Sequence, residues 1–239
     1  MSKVLAVLGV GPGLGLSIAH RFGREGFTTA LVSRTDTRHG TYRASLAGID
    51  ARTYTADVTD EPQLRAVLAR IKADAGELDA VYFGPADATS GPGITPLPEA
   101  GAAALGASFA SVVLPAANLV QAVLPDLLAR GSGSLLFAGG LSGKYPMPML
   151  GSLAPASAAL RMYVLTLHAA LREQGVHAGI LTIGGLIERG DIHRVFTAQD
   201  HGFTVGTLDP DAIADRAWRL YVEREAEAEF NAMAVPQAR

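Results

Sequence analysis

The sequence predicts an α/β fold, a single-domain, doubly wound parallel sheet of the Rossmann type with helices on both faces. Short apolar runs alternate with longer helical stretches, which is the pattern of βα units. The first apolar run, at residues 4–8, leads directly into a glycine-dense turn at residues 9–15. The 239 residues suffice for one large domain, and no repeat or linker divides residues 1–239.

Each element can be placed from its local pattern. Asp60 and Pro62 form a good helix start, and Gly175 is a plausible helix stop. The segment 186–209 follows the sixth strand and is predicted to be a mobile flap or substrate loop. Strands are predicted near 3–8, 28–32, 52–55, 79–83, 133–138, 178–183 and, as a last short strand, 229–234. Helices are predicted near 14–25, 61–75, 100–129, 154–174 and 210–226.

Composition excludes several classes of protein. Hydrophobic residues make up 49% of the chain and charged residues 18%, as in a globular protein. The net charge of -3 argues against a nucleic-acid partner. There is no cysteine, so disulfide and thiolate chemistry are excluded. The first strand begins too early for a signal peptide, and no apolar stretch is expected to reach the ~20 residues of a membrane span. We therefore expect a soluble cytoplasmic protein with no membrane partner.

The glycine turn has an informative spacing. The usual dinucleotide pattern GxGxxG fails, because counting from Gly9 or Gly11 places a leucine in the last position. The pattern GxxxGxG fits Gly9, Gly13 and Gly15. Such glycines let the backbone approach a ligand closely, and the helix that follows offers unpaired N–H groups to an anion. The turn therefore predicts a phosphate site; the alternative is a tight strand–helix connection that binds nothing.

This strand and glycine spacing resemble the short-chain dehydrogenase/reductase family, and the resemblance extends over nearly the whole chain. It implies a nicotinamide cofactor on the glycine turn, with Leu14 among the contacts. At the end of the second strand, where an acidic residue would hold the ribose hydroxyls of NAD, the chain has Arg34. An arginine suits a 2′-phosphate, so Ser33 and Arg34, with Arg38 as a further candidate, imply NADP(H). The alternative is a solvated loop arginine.

Four further residues support a cofactor site by the same resemblance. Asp57 and Val58 match the family's pair beside the adenine, although Asp57 could equally be a turn or cap residue. Gly84 lies in Phe83-Gly84-Pro85-Ala86, where the family has Asn-Asn-Ala-Gly, so only the position and the small-residue character agree. Ile187 lies where a backbone group pairs with the nicotinamide carboxamide, although glycine-rich turns after buried strands are also common without a ligand.

The family's catalytic groups are missing from the corresponding positions. The resemblance implies a Tyr general acid or base, a Lys four residues later, a Ser that polarises the carbonyl and an Asn that completes a proton relay. These positions hold Leu153, Ser157, Gly140 and Val112. Leucine, glycine and valine cannot transfer a proton, and a positioned acid contributes ~10²–10⁴ in rate. The standard mechanism is therefore not supported.

Two groups of residues are candidate substitutes. Tyr145 and Lys144, near Ser142 on the loop after the fifth strand, could supply a proton donor; an exposed turn is the alternative. In the segment 186–209, His193 could act when the flap closes, because histidine titrates in the useful range. Surface histidines are the alternative there, and the spacing of Asp191, His193 and His201 is no recognisable metal pattern, so we expect no metal.

Three functions remain open. The first is an NADP(H)-dependent oxidoreductase with a non-standard active site, acting on a small organic carbonyl, imine or enone. The second is a catalytically degenerate NADP(H)-binding sensor or regulatory protein. The third is a non-redox isomerase or cyclase on the same fold, since fold alone cannot decide the chemistry. The family resemblance also implies a homodimer or homotetramer formed through the helices at 100–129 and 154–174.

Overall fold

A seven-stranded parallel sheet organises the chain. The computed structural model describes residues 2–86, 93–200 and 204–233. The strands of this sheet are β1 (Val4–Leu8), β2 (Thr28–Ser33), β3 (Ala51–Thr55), β4 (Leu78–Phe83), β5 (Gly133–Gly140), β6 (Val176–Gly184) and β9 (Glu227–Asn231). They lie side by side in the order β3-β2-β1-β4-β5-β6-β9. A separate pair is formed by β7 (Leu186–Ile187) and β8 (Thr207–Leu208).

Helices cover both faces of the sheet, which makes the predicted Rossmann-type fold correct. They are α1 (Leu14–Arg24), α2 (His39–Ser45), α3 (Glu61–Ala75), α4 (Ala102–Arg130), α5 (Leu153–Leu171), α6 (Asp191–Thr197) and α7 (Pro210–Glu223). Helices α1 and α7 pack together over one apolar cluster, and α3, α4 and α5 cover the other. The central strands are buried on both faces, as expected of a parallel sheet.

The predicted strands and helices are present, with shifts of a few residues at their ends. Asp60 caps α3 by accepting a hydrogen bond from the Gln63 backbone N–H at 2.9 Å. Gly175 has a φ of 74° and follows a 3₁₀ turn at 172–174, which confirms the predicted stop. The last strand lies at Glu227–Asn231 rather than at 229–234.

The segment 186–209 was predicted to be a flap or loop, but it contains two short strands and a helix. It holds β7, α6 and β8, while 201–203, and with them His201, lie outside the described residues. Helix α6 has no buried residue, so no apolar period marks it in the sequence. Helix α2 was missed for a similar reason, because only His39 and Tyr42 are buried along its seven residues.

Helix α4 is more apolar than the sequence analysis expected. Among the described residues, only this 29-residue helix is long and apolar enough to cross a membrane, with a mean hydropathy of 1.7 over an 18-residue window. The expectation that no stretch reaches that length was therefore wrong. Its inner face packs on the sheet through residues such as Leu119 and Leu127, yet only 28% of its most apolar window is buried. An apolar outer face remains exposed.

The sheet has its switch point between β1 and β4. From β1 the chain moves outward to β2 and β3, and it then crosses back to place β4 on the other side of β1. The two strands end in register, Leu8 opposite Phe83, and the Gly84 N–H donates to the Leu8 carbonyl at 3.1 Å. Open α/β sheets bind ligands in the crevice beyond such a switch point.

Candidate cofactor and active site

The glycine turn begins at the switch point. Gly9 has a φ of 89°, in the left-handed region that favours glycine. A Cβ on Gly9 would lie 2.7 Å from the backbone of Pro85. The chain that follows β4 therefore also leaves room only for a glycine at position 9. The N–H groups of Gly9 and Val10 both donate to the Val32 carbonyl, at 3.0 and 2.9 Å. Hydrogen bonds to β2 thus fix the start of the turn.

The turn leads into α1, whose N-cap is Gly13 without a side-chain cap. A Cβ on Gly15 would lie 3.0 Å from the Val10 Cα, whereas one on Gly11 would meet nothing within 4 Å. The Leu14 side chain is buried in the core, so only its backbone is available to a ligand. First-turn N–H groups of a helix have no intrahelical acceptor. The turn therefore has the form of a phosphate cradle, with a tight base and one open side at Gly11.

The polar residues at the end of β2 are held by short contacts. The Ser33 hydroxyl donates to the Thr35 carbonyl at 2.8 Å, so its oxygen accepts from His39 Nε2, also at 2.8 Å. Burial lowers the pKa of His39, which favours its neutral form. Arg34 is exposed directly after the strand. Arg38 follows it and makes a two-pronged pair with Asp191 on α6.

Asp57 closes a turn after β3. Its Oδ1 accepts from both the backbone N–H and the hydroxyl of Thr59, at 2.9 and 2.6 Å. Val58 is buried against the core. Asp57 thus acts as a turn residue, which is the alternative that the sequence left open for it. Its contact with the adenine stays a prediction.

Two glycine-rich connections border the crevice. A Cβ on Gly84 would overlap the phenol oxygen of the buried Tyr82. The Tyr82 side chain, on the preceding strand β4, therefore restricts this position to glycine. Ile187 lies in β7 and pairs with Leu208 of β8. The next residues turn back toward α1, and a Cβ on Gly13 would lie 3.1 Å from the Glu188 carbonyl oxygen.

Two of the four positions that the resemblance assigns to catalytic groups, Gly140 and Ser157, lie together at the end of β5. A Cβ on Gly140 would lie 3.3 Å from Ser157 Oγ and 3.4 Å from Ser142 Oγ. Both serines are buried, and the Ser142 hydroxyl has no hydrogen-bond partner among the described residues. The structure therefore surrounds Gly140 with two hydroxyl groups. In the sequence, Ser142 stands out only by its position two residues after Gly140 and near Tyr145, so its role at this site was not predicted.

Lys144 and Tyr145 turn toward the edge strand β9. Lys144 Nζ lies 2.5 Å from Glu229 Oε2, and the Tyr145 hydroxyl lies 3.5 Å from Glu229 Oε1. The hydrogen bond to Glu229 raises the pKa of Lys144. Beside them Arg161 makes a two-pronged pair with Glu227, at 2.7 and 2.6 Å. Lys144 and Tyr145 thus both contact a carboxylate on β9. A catalytic role for these two residues stays a prediction.

His193 lies on α6 and is partly exposed, and its backbone carbonyl accepts from the Thr197 hydroxyl at 2.8 Å. Its neighbour Asp191 is paired with Arg38 instead of with a histidine. Across residues 2–86, 93–200 and 204–233, no three His, Asp or Glu side chains are grouped so that they could hold a metal ion. A catalytic role for His193 also stays a prediction.

The chain belongs to the short chain dehydrogenase family, whose model matches residues 3–188. It is 20% identical over 237 residues to a dehydrogenase/reductase SDR family protein 7-like of Drosophila melanogaster, covering 93% of this chain and 71% of that protein.

Two solved structures show the same fold. An apo short-chain oxidoreductase from Pseudomonas aeruginosa PAO1, described as containing an atypical catalytic center, is 18% identical with a TM-score of 0.82, covering 99% of this chain and 98% of that chain. An alcohol dehydrogenase from the archaeon Thermococcus sibiricus, complexed with 5-hydroxy-NADP, is 19% identical with a TM-score of 0.78, covering 99% of both chains.

Proposed function

We propose that this chain is an NADP(H)-dependent oxidoreductase with a non-standard active site, acting on a small organic carbonyl, imine or enone. The observation that carries the proposal is the glycine turn at the switch point, together with the arginine that follows β2. The NADP complex of the Thermococcus sibiricus relative is in keeping with this cofactor. An arginine at the end of β2 favours NADP(H) because its planar guanidinium matches a phosphate.

The residues of the crevice fit such a cofactor. The N–H groups around Gly13 and Leu14 would hold the pyrophosphate, and Arg34 would hold the 2′-phosphate, with Ser33 fixing the backbone beside it. Asp57 and Val58 would border the adenine, and Gly84 and Ile187 the nicotinamide side. When bound, the cofactor supplies hydride chemistry, while the protein orients and polarises the substrate.

The proton donor of the standard family mechanism is absent, so the substrate must need less help. An iminium ion or conjugated carbonyl is already polarised. Ser142 supports this proposal because its buried hydroxyl, close to Gly140, has no hydrogen-bond partner in the part of the chain that the structure describes. A small movement of that loop would let the hydroxyl donate to a substrate oxygen, as aligned donors do for developing negative charge. Tyr145, Lys144 and His193 remain candidate proton sources.

The test is a turnover screen of purified protein with NADPH against ketones, imines and enones, followed by the loss of nicotinamide absorbance. Substrate-dependent oxidation of NADPH that exceeds the rate with NADH is the expected result. An Arg34→Gln variant should lose this preference, and Arg172→Gln, at an exposed arginine on the 3₁₀ turn after α5, is the matched control. NADPH that is neither bound nor oxidised would refute the proposal.

The absence of the standard groups favours a second candidate, an NADP(H)-binding sensor or regulatory protein. Leu153, Gly140 and Val112 offer no titratable group. Tight NADPH binding without turnover on any substrate in the screen would support this function over the first. Product formed equally well with oxidised and reduced cofactor would indicate an isomerase or cyclase instead.

We also propose a homodimer or homotetramer in the cytoplasm, with neither a membrane nor a nucleic acid as partner. The exposed apolar face of α4 and α5 supports this assembly: Leu114 is 55% exposed and Met162 is 59% exposed. A second copy would cover these side chains. Light scattering should give a dimer or larger mass that Leu114→Glu reduces, whereas a monomeric protein that binds vesicles would refute this arrangement.

A further inference from the structure

A short strap, residues 188–191, crosses from β7 to α6 beside the glycine turn. Its first N–H, on Glu188, donates to the Leu208 carbonyl at 3.0 Å, which anchors the strap to β8. The next residue, Arg189, has a φ of 64° and pairs with Asp211 at 2.8 Å. The strap is thus fixed at its start, and its last residue, Asp191, begins α6.

Asp191 links the start of α6 to the loop after β2. Its two carboxylate oxygens accept from the two terminal nitrogens of Arg38, at 2.7 and 2.9 Å. The partners are 153 positions apart in the sequence, so the pair links two separate elements of the fold. The hydrogen bond to Arg38 lowers the pKa of Asp191, which keeps the carboxylate charged.

This geometry resembles the way in which a guanidinium binds a phosphate. An arginine presents the same planar fork to a carboxylate and to a phosphate, so only one of them can occupy it fully. Arg38 lies four residues beyond Arg34, on the loop that the proposed function assigns to the 2′-phosphate. The Asp191 carboxylate therefore pairs with Arg38, one of the arginines that this phosphate would use.

Building on the proposed function, we infer that Asp191 competes with the cofactor's 2′-phosphate for Arg38. Asp191 then acts as a specificity-determining residue that weakens NADP(H) binding relative to NAD(H). Binding of NADP(H) breaks the pair and releases α6 from the loop after β2. NAD(H) carries no 2′-phosphate and leaves the pair intact, so only the phosphorylated cofactor changes how the strap is held.

The experiment measures dissociation constants for NADPH and NADH by cofactor fluorescence in wild type, Asp191→Asn, Arg38→Gln and the double variant. Asp191→Asn should tighten NADPH binding about two- to fivefold, the range for a partly exposed pair, and leave NADH binding unchanged. In the Arg38→Gln background the same substitution should have no effect, because the competition needs both partners.

A matched control separates this competition from a general change in charge. Glu188→Gln removes a negative charge from the same strap, but the Glu188 side chain accepts from the Thr207 hydroxyl at 2.9 Å and does not pair with Arg38. NADPH affinity equal to that of wild type is expected for this variant. An equal gain in Glu188→Gln, or an equal gain for NADH in Asp191→Asn, would overturn the inference.

The outcome also distinguishes this inference from the proposed function. NADPH binding that Asp191→Asn leaves unchanged would refute the competition alone. Failure of both wild type and Asp191→Asn to bind either dinucleotide would refute the proposed function itself.

Discussion

His177 gives the chain a stability that depends on pH. The side chain is 1% exposed. Its Nε2–H donates to the Glu225 carbonyl at 2.7 Å, so Nδ1 is the acceptor and takes the Ser134 hydroxyl, also at 2.7 Å. The neutral ring therefore satisfies both neighbours, whereas a proton on Nδ1 would require the Ser134 hydroxyl to rotate its own hydrogen away from the ring. Burial lowers the pKa of His177 to about 4.

The sign of the effect follows from this depressed pKa. An unfolded histidine binds a proton below its ordinary pKa of ~6.5, whereas the folded one does so only near a pKa of about 4. The unfolded state thus binds more protons within this window, and the free energy of unfolding falls as the pH falls. The full difference is ~3 kcal/mol, and most of it is lost by about pH 4.5.

Urea unfolding of wild type and His177→Gln at a series of pH values tests this reasoning. The variant should be less stable at neutral pH, because the Ser134 hydroxyl and the Glu225 carbonyl lose their partner. Its free energy of unfolding should then fall less on acidification than that of wild type, by ~2–3 kcal/mol at about pH 4.5. Equal pH dependence in the two proteins would show that His177 does not titrate as argued.

Three further predictions concern the site and its supports. Gly9→Ala should destabilise the chain by ~1–3 kcal/mol and weaken NADPH binding, since its φ and the Pro85 backbone both exclude a side chain; normal binding in a titration would contradict this. Asp60→Ala should raise the free energy of the folded state by ~0.5–2 kcal/mol through loss of the α3 cap, with NADPH affinity retained. Ser142→Ala should cost little stability in thermal unfolding, because its hydroxyl makes no hydrogen bond among the described residues, yet reduce turnover about tenfold or more; unchanged turnover would exclude Ser142 as a donor.

The fold was predictable because local patterns determine it. The apolar strands, the glycine turn and the cap at Asp60 are each readable within a few residues, and each is found where it was expected. Helices α2 and α6 were not predicted, because a helix that buries little of its surface has no apolar period to detect. Their positions depend on contacts with distant elements.

The candidate site was predictable only in part, for the same physical reason. Counting along the chain identified Gly140 and Ser157 as equivalent to catalytic positions, and the structure brings these two together. It could not indicate that Lys144 pairs with Glu229, because β9 reaches that edge only through the last crossover. The pair of Arg38 and Asp191 could likewise not be predicted, since the two residues lie 153 positions apart in the sequence.

We propose that this chain holds a 2′-phosphorylated nicotinamide cofactor in the crevice between β1 and β4. The most direct test is a fluorescence titration of wild type and Arg34→Gln with NADPH and NADH. Wild type should bind NADPH more tightly than NADH, and Arg34→Gln should lose about tenfold or more of its NADPH affinity, the usual effect of a charge-assisted hydrogen bond. Equal affinity of wild type for the two dinucleotides, or no binding of either, would contradict the claim.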